Sequence, residues 1–416
     1  MSSPYRAIFA APGTKGFSAA GFIGRLPLSM LGIGVVTMIS QVTGRYGLAG
    51  ALSATLAMSG AVIGPQVSRL VDRYGQRRVL RPAAAVTVMA VAGLLSCVAW
   101  HAPDWTLFVF SALAGATPSL GAMVRARWAV IHHGTPAMHT AYSFESVVDE
   151  VCFIVGPILS IGLCTVWFPE AGPLLAAFFL AVGTFLLTAQ RSTEPVPHPA
   201  TSHVPGSALR SPGLQVLVTT FACTGAIFGS VEVTTVAFAD ELGHKAAASL
   251  VLAVYALGSC VAGLAFGLLR LKGPASRAFL LGVCVMAVSM IPLLLVGNLW
   301  FLAGALFVAG LSIAPTMVTT MALVEQLVPR AKLTEGMTWV STGITVGVAL
   351  GASVSGWVID SSGAEAAFAV PAAAGALAVV VAVLGFRRLR PAPEQEGPRT
   401  HEHDEHDERN RREGVA

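Results

Sequence analysis

Twelve stretches of about 20 mostly apolar residues follow one another along this chain, each long enough to cross a bilayer as a helix. They fall near residues 17–40, 46–67, 80–100, 105–128, 140–164, 171–190, 215–239, 246–270, 278–297, 299–323, 336–359 and 366–386. Hydrocarbon offers the backbone no hydrogen-bond partners, so such runs are expected as α-helices. Only 12% of residues are charged and mean hydropathy is +0.71, whereas soluble domains carry about 25% charged residues. The 43 Gly and 24 Pro residues would imply disorder in a polar chain. Here they sit inside apolar runs, where membrane helices tolerate them. The six cysteines lie in apolar segments without CxxC spacing and read as small packing residues. Residues 1–16 lack the tripartite pattern of a secretory signal, so the first span is expected to be retained.

Loop charge sets the orientation. With the N-terminus inside, 23 of the 26 Lys and Arg residues fall on the cytoplasmic side, including Arg125 and Arg127. Only Arg45 and Lys245 lie outside, and Arg25 is intramembrane. Cytoplasmic loops carry this excess, so a multi-pass protein of the cell membrane with both termini cytoplasmic is expected. Trp100, Trp105, Trp167, Trp300 and Trp357 fall near outer span ends, as an interfacial belt would.

The polar segment 191–212 divides the spans six and six, and its Pro, Ser, Thr and His content reads as a linker. The expected organisation is an N-terminal six-helix bundle (1–190), a cytoplasmic linker (191–212), a C-terminal six-helix bundle (213–390) and a disordered charged tail (391–416). Three matches recur in order between the halves: Phe17 and Gly21 with Phe221 and Gly225, Phe110 and Pro118 with Phe307 and Pro315, and Gly156 and Ser160 with Gly351 and Ser355. Parallel half-repeats of this kind occur in transporters. The tail histidines His401, His403 and His406 lie among acids without a scaffold and read as solvated.

The loop after the second span reads Ser68-Arg69-Leu70-Val71-Asp72-Arg73-Tyr74-Gly75-Gln76-Arg77-Arg78. It resembles the G-x-L-A-D-R-x-G-R-[RK] signature of the major facilitator superfamily. Asp72, Arg73, Gly75, Arg77 and Arg78 fit; Ser68 replaces a Gly and Gln76 a basic residue. The resemblance implies an all-α polytopic fold of twelve transmembrane helices in two pseudo-symmetric six-helix bundles. It also implies that Asp72 braces the halves by facing the start of span eleven near Gly336, where the helix dipole favours an anion. Arg125 or Arg127 is its expected ionic neighbour. The counterpart loop near Gly263–Lys272 has no acid, so the brace would be one-sided. Gly156-Pro157 in span five resembles the Gly-Pro of the family's antiporter signature, with Cys152, Ser160 and Ile161 where that signature has Gly. Span four lacks the family's arginine in its outer and middle part.

Away from the cytoplasmic span ends, five intramembrane charges stand out: Arg25, Glu145, Asp149, Glu150 and Glu232. Such groups are expensive in a bilayer and face a cavity or a partner. Glu145 and Asp149 share a helix face, while Glu150 is rotated about 100° from Asp149. Arg25 is expected to pair with a span-five acid, and Glu232 or Asp149 to exchange a proton with substrate; a static buried pair is the alternative for each. The resemblance implies a secondary transporter of a small organic solute, by proton-coupled efflux or by proton symport or facilitated uptake. No nucleotide-binding G-x-x-x-x-G-K-[ST] or H-E-x-x-H motif is present. A membrane-embedded enzyme or a sensor is the more distant alternative, and no cofactor or nucleic-acid partner is expected. His132, His133 and His139 read as interfacial.

Overall fold

The computed structural model describes residues 4–197, 206–244, 247–269 and 273–389. Lys245, Arg270, Lys272, linker residues 198–205 and the tail with its three histidines lie outside the described residues. The described residues form α-helices and short 3-10 turns without a strand. In chain order the helices are α1 (Pro4–Ile8), α2 (Thr14–Thr43), α3 (Tyr46–Tyr74), α4 (Gln76–Ala99), α5 (Asp104–Ala114), α6 (Leu120–Ile131), α7 (Ala137–Val166) and α8 (Ala171–Ala189). After the linker come α9 (Pro212–Glu241), α10 (Ala247–Phe266), α11 (Ala275–Ser289), α12 (Leu299–Gly310), α13 (Ile313–Leu327), α14 (Leu333–Ser362), α15 (Ala364–Ala367) and α16 (Ala369–Gly385). Among the described residues, eleven segments are long and apolar enough to cross a membrane. The twelfth crossing is shared by α5, too short alone at 11 residues, and α6.

Several helices exceed the apolar run that announces them. α2, α7, α9 and α14 each have 30 residues, about 45 Å at 1.5 Å per residue, against a hydrocarbon core of about 30 Å. Their polar ends continue the helix until a residue that cannot. Gly44 ends α2 at φ 68°. Asn298 begins α12 by accepting the Phe301 N–H at 2.8 Å, which separates spans nine and ten.

Span four departs from the single helix expected over 105–128. It breaks between Ala114 and Leu120, at Gly115-Ala116-Thr117-Pro118-Ser119. Pro118 has no N–H to donate and its ring opposes a continuous helix. Span ten breaks in the corresponding place, at Leu311-Ser312, with Pro315 in the first turn of α13, where a missing donor costs nothing. The Phe110/Pro118 and Phe307/Pro315 match thus marks equivalent breaks.

Glycines set the closest helix contacts. Gly343, Gly347 and Gly351 of α14 lie against the backbone of Val218, Ala222 and Ala226 of α9, and Gly225 and Gly229 of α9 against Ile344 and Val348. A Cβ at these positions would overlap main-chain atoms. Gly156 of α7 meets Ser29 and Met30 of α2 in the same relation of span five to span one.

The N-terminal helices pack mainly among themselves, as do α9 to α16. The two groups meet where α3 touches α14 and α7 touches α10 and α13. One apolar cluster contains Phe17, Trp128 and Tyr142 together with Phe221, Val324 and Met337, so it belongs to both groups. Three further clusters each stay within one group. The shared cluster lies toward the face that carries the Arg69–Arg81 loop, here called the basic face.

Candidate functional site

Two cations and two anions meet between α2, α6 and α7. Arg25 Nη1 donates to Asp149 Oδ1 at 2.8 Å, and its Nη2 pairs with Glu145. Arg125 pairs with the other Asp149 oxygen. Trp128 Nε1 donates to the second Glu145 oxygen at 2.6 Å. Arg25 is 3% and Glu145 0% exposed, so the charges are neutralised by one another rather than by solvent. Helical spacing explains the geometry: Glu145 and Asp149 are one turn apart on α7 and present one face to α2. Phe153, next on that face, is exposed and takes no part.

This placement corrects the expectation for Arg125, whose partner is Asp149 and not Asp72. Arg125 and Arg127 are not loop residues; both are buried within α6, where a cation needs a counter-charge or acceptors. Arg127 has no ion pair among the described residues and is held by acceptors. It donates to Gln76 Oε1 at 2.8 Å, Thr193 Oγ1 at 2.7 Å and the carbonyls of Leu187 and Gln190 at 2.9 Å. Gln76 also donates to the Met123 carbonyl at 3.0 Å. A basic residue at 76, as the family signature has, would set two cations together, so the departure to Gln suits a chain with Arg127 there.

The seam between the two helix groups is built from helix ends. Asp72 accepts the N–H groups of Thr334 at 3.3 Å and Glu335 at 2.9 Å, in the first turn of α14. An anion there meets unpaired donors and the positive end of the helix dipole. Ser68 meets Thr338 at 2.7 Å one turn further in, so the hydroxyl that replaces the signature Gly makes a cross-group bond. The counterpart contact uses the opposite polarity. The last carbonyls of α10 accept from Tyr5 (Gly263 at 3.2 Å, Leu264 at 2.9 Å) and Thr140 (Gly267 at 2.9 Å), and the Phe266 carbonyl pairs with His139 Nε2 at 2.7 Å. No acid is needed where carbonyls face donors. His132 pairs with the Ile8 carbonyl at 3.3 Å, and His133 with Glu325 at 3.1 Å.

Ser259 of α10 donates to Glu150 at 2.7 Å, and of these seam bonds it lies farthest from the basic face. Glu150 therefore looks away from Asp149, toward the second helix group. Glu232 is exposed and has no hydrogen-bond or ionic partner among the described residues. It lies one turn beyond Phe228, which contacts Tyr255 of α10. It is about 160° around α9 from Val216, the residue that meets Gly385 of α16. Glu232 thus faces away from α16.

The remaining signature residues shape the loop. Gly75 joins α3 to α4 at φ 90° and ψ 156°, a conformation open essentially to glycine alone. The Arg77 N–H donates to Glu194 at 2.9 Å. Arg73 lies 5.1 Å from the Tyr74 ring centroid, and Arg78 is exposed. Pro157 lies inside α7 beside Gly156. Sequence reasoning missed Trp128, Tyr255, Ser259 and Glu335. Ordinary apolar or helical context hides the first three, and Glu335 carries its signal only as an acid in a helical first turn.

The Major Facilitator Superfamily model matches residues 17–247 and again 221–412. The chain belongs to the major facilitator superfamily. As a member it is a multi-pass membrane transport protein and not an enzyme. Comparison with curated sequences gives no match. Solved structures share the superfamily fold at low identity. The human organic anion transporter MFSD10 (TETRAN) has a TM-score of 0.70 at 15% identity, covering 91% of this chain and 100% of its own. A bacterial homologue of the iron transporter ferroportin in an outward-facing state has a TM-score of 0.70 at 16% identity, covering 90% and 99%. FucP in the outward conformation has a TM-score of 0.67 at 11% identity, covering 90% and 98%.

Proposed function

We propose that this superfamily member exports a small organic solute in exchange for protons, by alternating access, with Glu150 as the proton-carrying group. The basic face is cytoplasmic in this reading, as the excess of Lys and Arg in its loops supports, and the membrane is the cell membrane. One observation carries the assignment: Glu150 sits at the rung of the α7–α10 seam farthest from the basic face, where the Ser259 hydroxyl is its one hydrogen-bond partner among the described residues. Separating α7 from α10 at the cytoplasmic face breaks that bond and turns the carboxylate toward the cytoplasm. Closing them returns it to the outer side. A site whose access reverses with the seam is what coupling requires. Asp149 suits the role poorly, because both of its oxygens are held by arginines. It serves instead with Arg25, Glu145 and Arg125 as a neutral post joining α2, α6 and α7. Asp72 and Ser68 form the cytoplasmic brace that must release for inward opening, and Arg73, Gly75, Arg77 and Arg78 belong to the loop that presents it. Export is favoured by the Gly156-Pro157 resemblance to the antiporter signature.

Purified protein in solute-loaded proteoliposomes tests the reading. Solute efflux is expected to acidify the lumen, and Glu150→Gln is expected to abolish the response of efflux to an imposed pH gradient. Efflux without proton movement, or an unchanged pH response in Glu150→Gln, would contradict it.

A further inference from the structure

The charges at bilayer depth leave a remainder. Arg25, Arg125, Glu145 and Asp149 neutralise one another. Glu150 and Glu232 have no Lys or Arg partner among the described residues. A series of neighbouring side chains connects them. Ser259, which holds Glu150, lies one turn along α10 from Tyr255. Tyr255 meets Phe228 with ring centroids 6.4 Å apart at 70°. Phe228 in turn lies one turn, about 6 Å, from Glu232 on α9. The series Glu150, Ser259, Tyr255, Phe228, Glu232 therefore runs from an acid on α7 through a hydroxyl and two aromatic rings to an acid on α9.

Tyr255 supplies an independent sign of a ligand. Its residue is 9% exposed, yet its hydroxyl is buried without a hydrogen-bond partner. An orphaned buried hydroxyl is costly, and it stands within electrostatic range of the Glu150 carboxylate. Aromatic faces attract cations, and two uncompensated carboxylates in a weakly screened setting attract them further while repelling anions.

Resting on the proposed transport function, we infer that Glu232, Phe228, Tyr255 and Glu150 form a binding subsite for an organic cation, an amine or quaternary ammonium with apolar substituents. The cation's apolar body lies against Phe228, its charge between the two carboxylates, and the Tyr255 hydroxyl bonds to the Glu150 carboxylate or to an ammonium N–H. Protons and the cation then compete for the same carboxylates, which links solute release to proton uptake without a further group.

The full chain in detergent micelles, without any gradient, tests this with two probes of equal shape and opposite charge, tetraphenylphosphonium and tetraphenylborate. Wild-type protein is expected to bind the phosphonium, to release protons on doing so, and to discriminate against the borate. Glu232→Gln is expected to weaken phosphonium binding about tenfold, the equivalent of about 1.4 kcal/mol. Phe228→Leu is expected to weaken it several-fold, while its melting temperature stays near wild type. If Glu232→Gln melts early, Phe228→Leu carries the test. Borate binding as tight as phosphonium, no phosphonium binding, or wild-type affinity in both variants would overturn the subsite. Loss of the cation preference with proton-driven efflux intact removes the cation assignment alone. Cation binding without proton-coupled efflux supports the subsite and removes the coupling instead.

Discussion

Arg25 is the residue on which the N-terminal charge cluster depends. It reaches both Glu145 and Asp149 from α2, and Glu145 has only Trp128 besides. Removing one member of a buried pair costs about 3–5 kcal/mol, because the partner is left buried and charged. Arg25→Met is therefore expected to lower the melting temperature in micelles sharply. The Arg25→Met/Glu145→Gln double variant should recover part of that loss, a coupling that thermal melts of the single and double variants would measure. Arg78→Ala, on an exposed side chain of the basic loop, should stay within about 0.5 kcal/mol of wild type. Equal losses in Arg25→Met and Arg78→Ala would contradict this ranking. At this scale the sequence was informative wherever a charge stood in an apolar run. Arg25, the span-five acids and the direction of Glu150 all followed from bilayer cost and helical rotation. Arg125 did not, since an arginine in the last two turns of a span has the same local sequence whether it reaches loop water or turns inward to Asp149. Tyr255 and Trp128 carry no charge, so nothing distinguished them from packing residues.

Among the elements, α9 and α14 are held in close contact, because glycines on each let the two backbones touch. Gly347→Val would drive its side chain into the Ala222 carbonyl. Overpacking of this kind costs about 1–3 kcal/mol and occasionally more. The variant is expected to melt early, whereas Gly356→Val, with open space around it, should not. Similar melting temperatures for the two would mean that α9 and α14 are not held by close glycine contact. Span number, order and approximate limits were legible, because hydropathy reports lipid contact directly. The breaks in spans four and ten were not, although their prolines were visible as a repeat. Hydropathy is the same for a continuous apolar helix and for two half-helices joined by a short unwound segment. The positive φ at Gly75 and the cross-group bond of Ser68 likewise depend on where neighbouring elements lie.

For the whole molecule, two groups of helices are joined by a seam toward the basic face. On one side an acid meets the N-terminal donors of α14, and on the other donors meet the C-terminal carbonyls of α10. Both contacts consist of a few hydrogen bonds beside one shared apolar cluster, and each group also has clusters of its own, so the seam can open without unfolding either group. Their existence on one flank was readable from the Asp72 signature. The other flank was not, because it is made of backbone carbonyls that any sequence supplies. The most direct test is a pair of inter-spin distance measurements in a chain with its six cysteines replaced by serine. One pair, Arg78→Cys with Arg277→Cys, reports the basic face; the other, Thr43→Cys with Asp360→Cys, reports the opposite face. Between neutral and acidic buffer, reciprocal shifts are expected, one distance lengthening as the other shortens. Two distances that stay fixed, or that change in the same direction, would contradict alternating access about this seam.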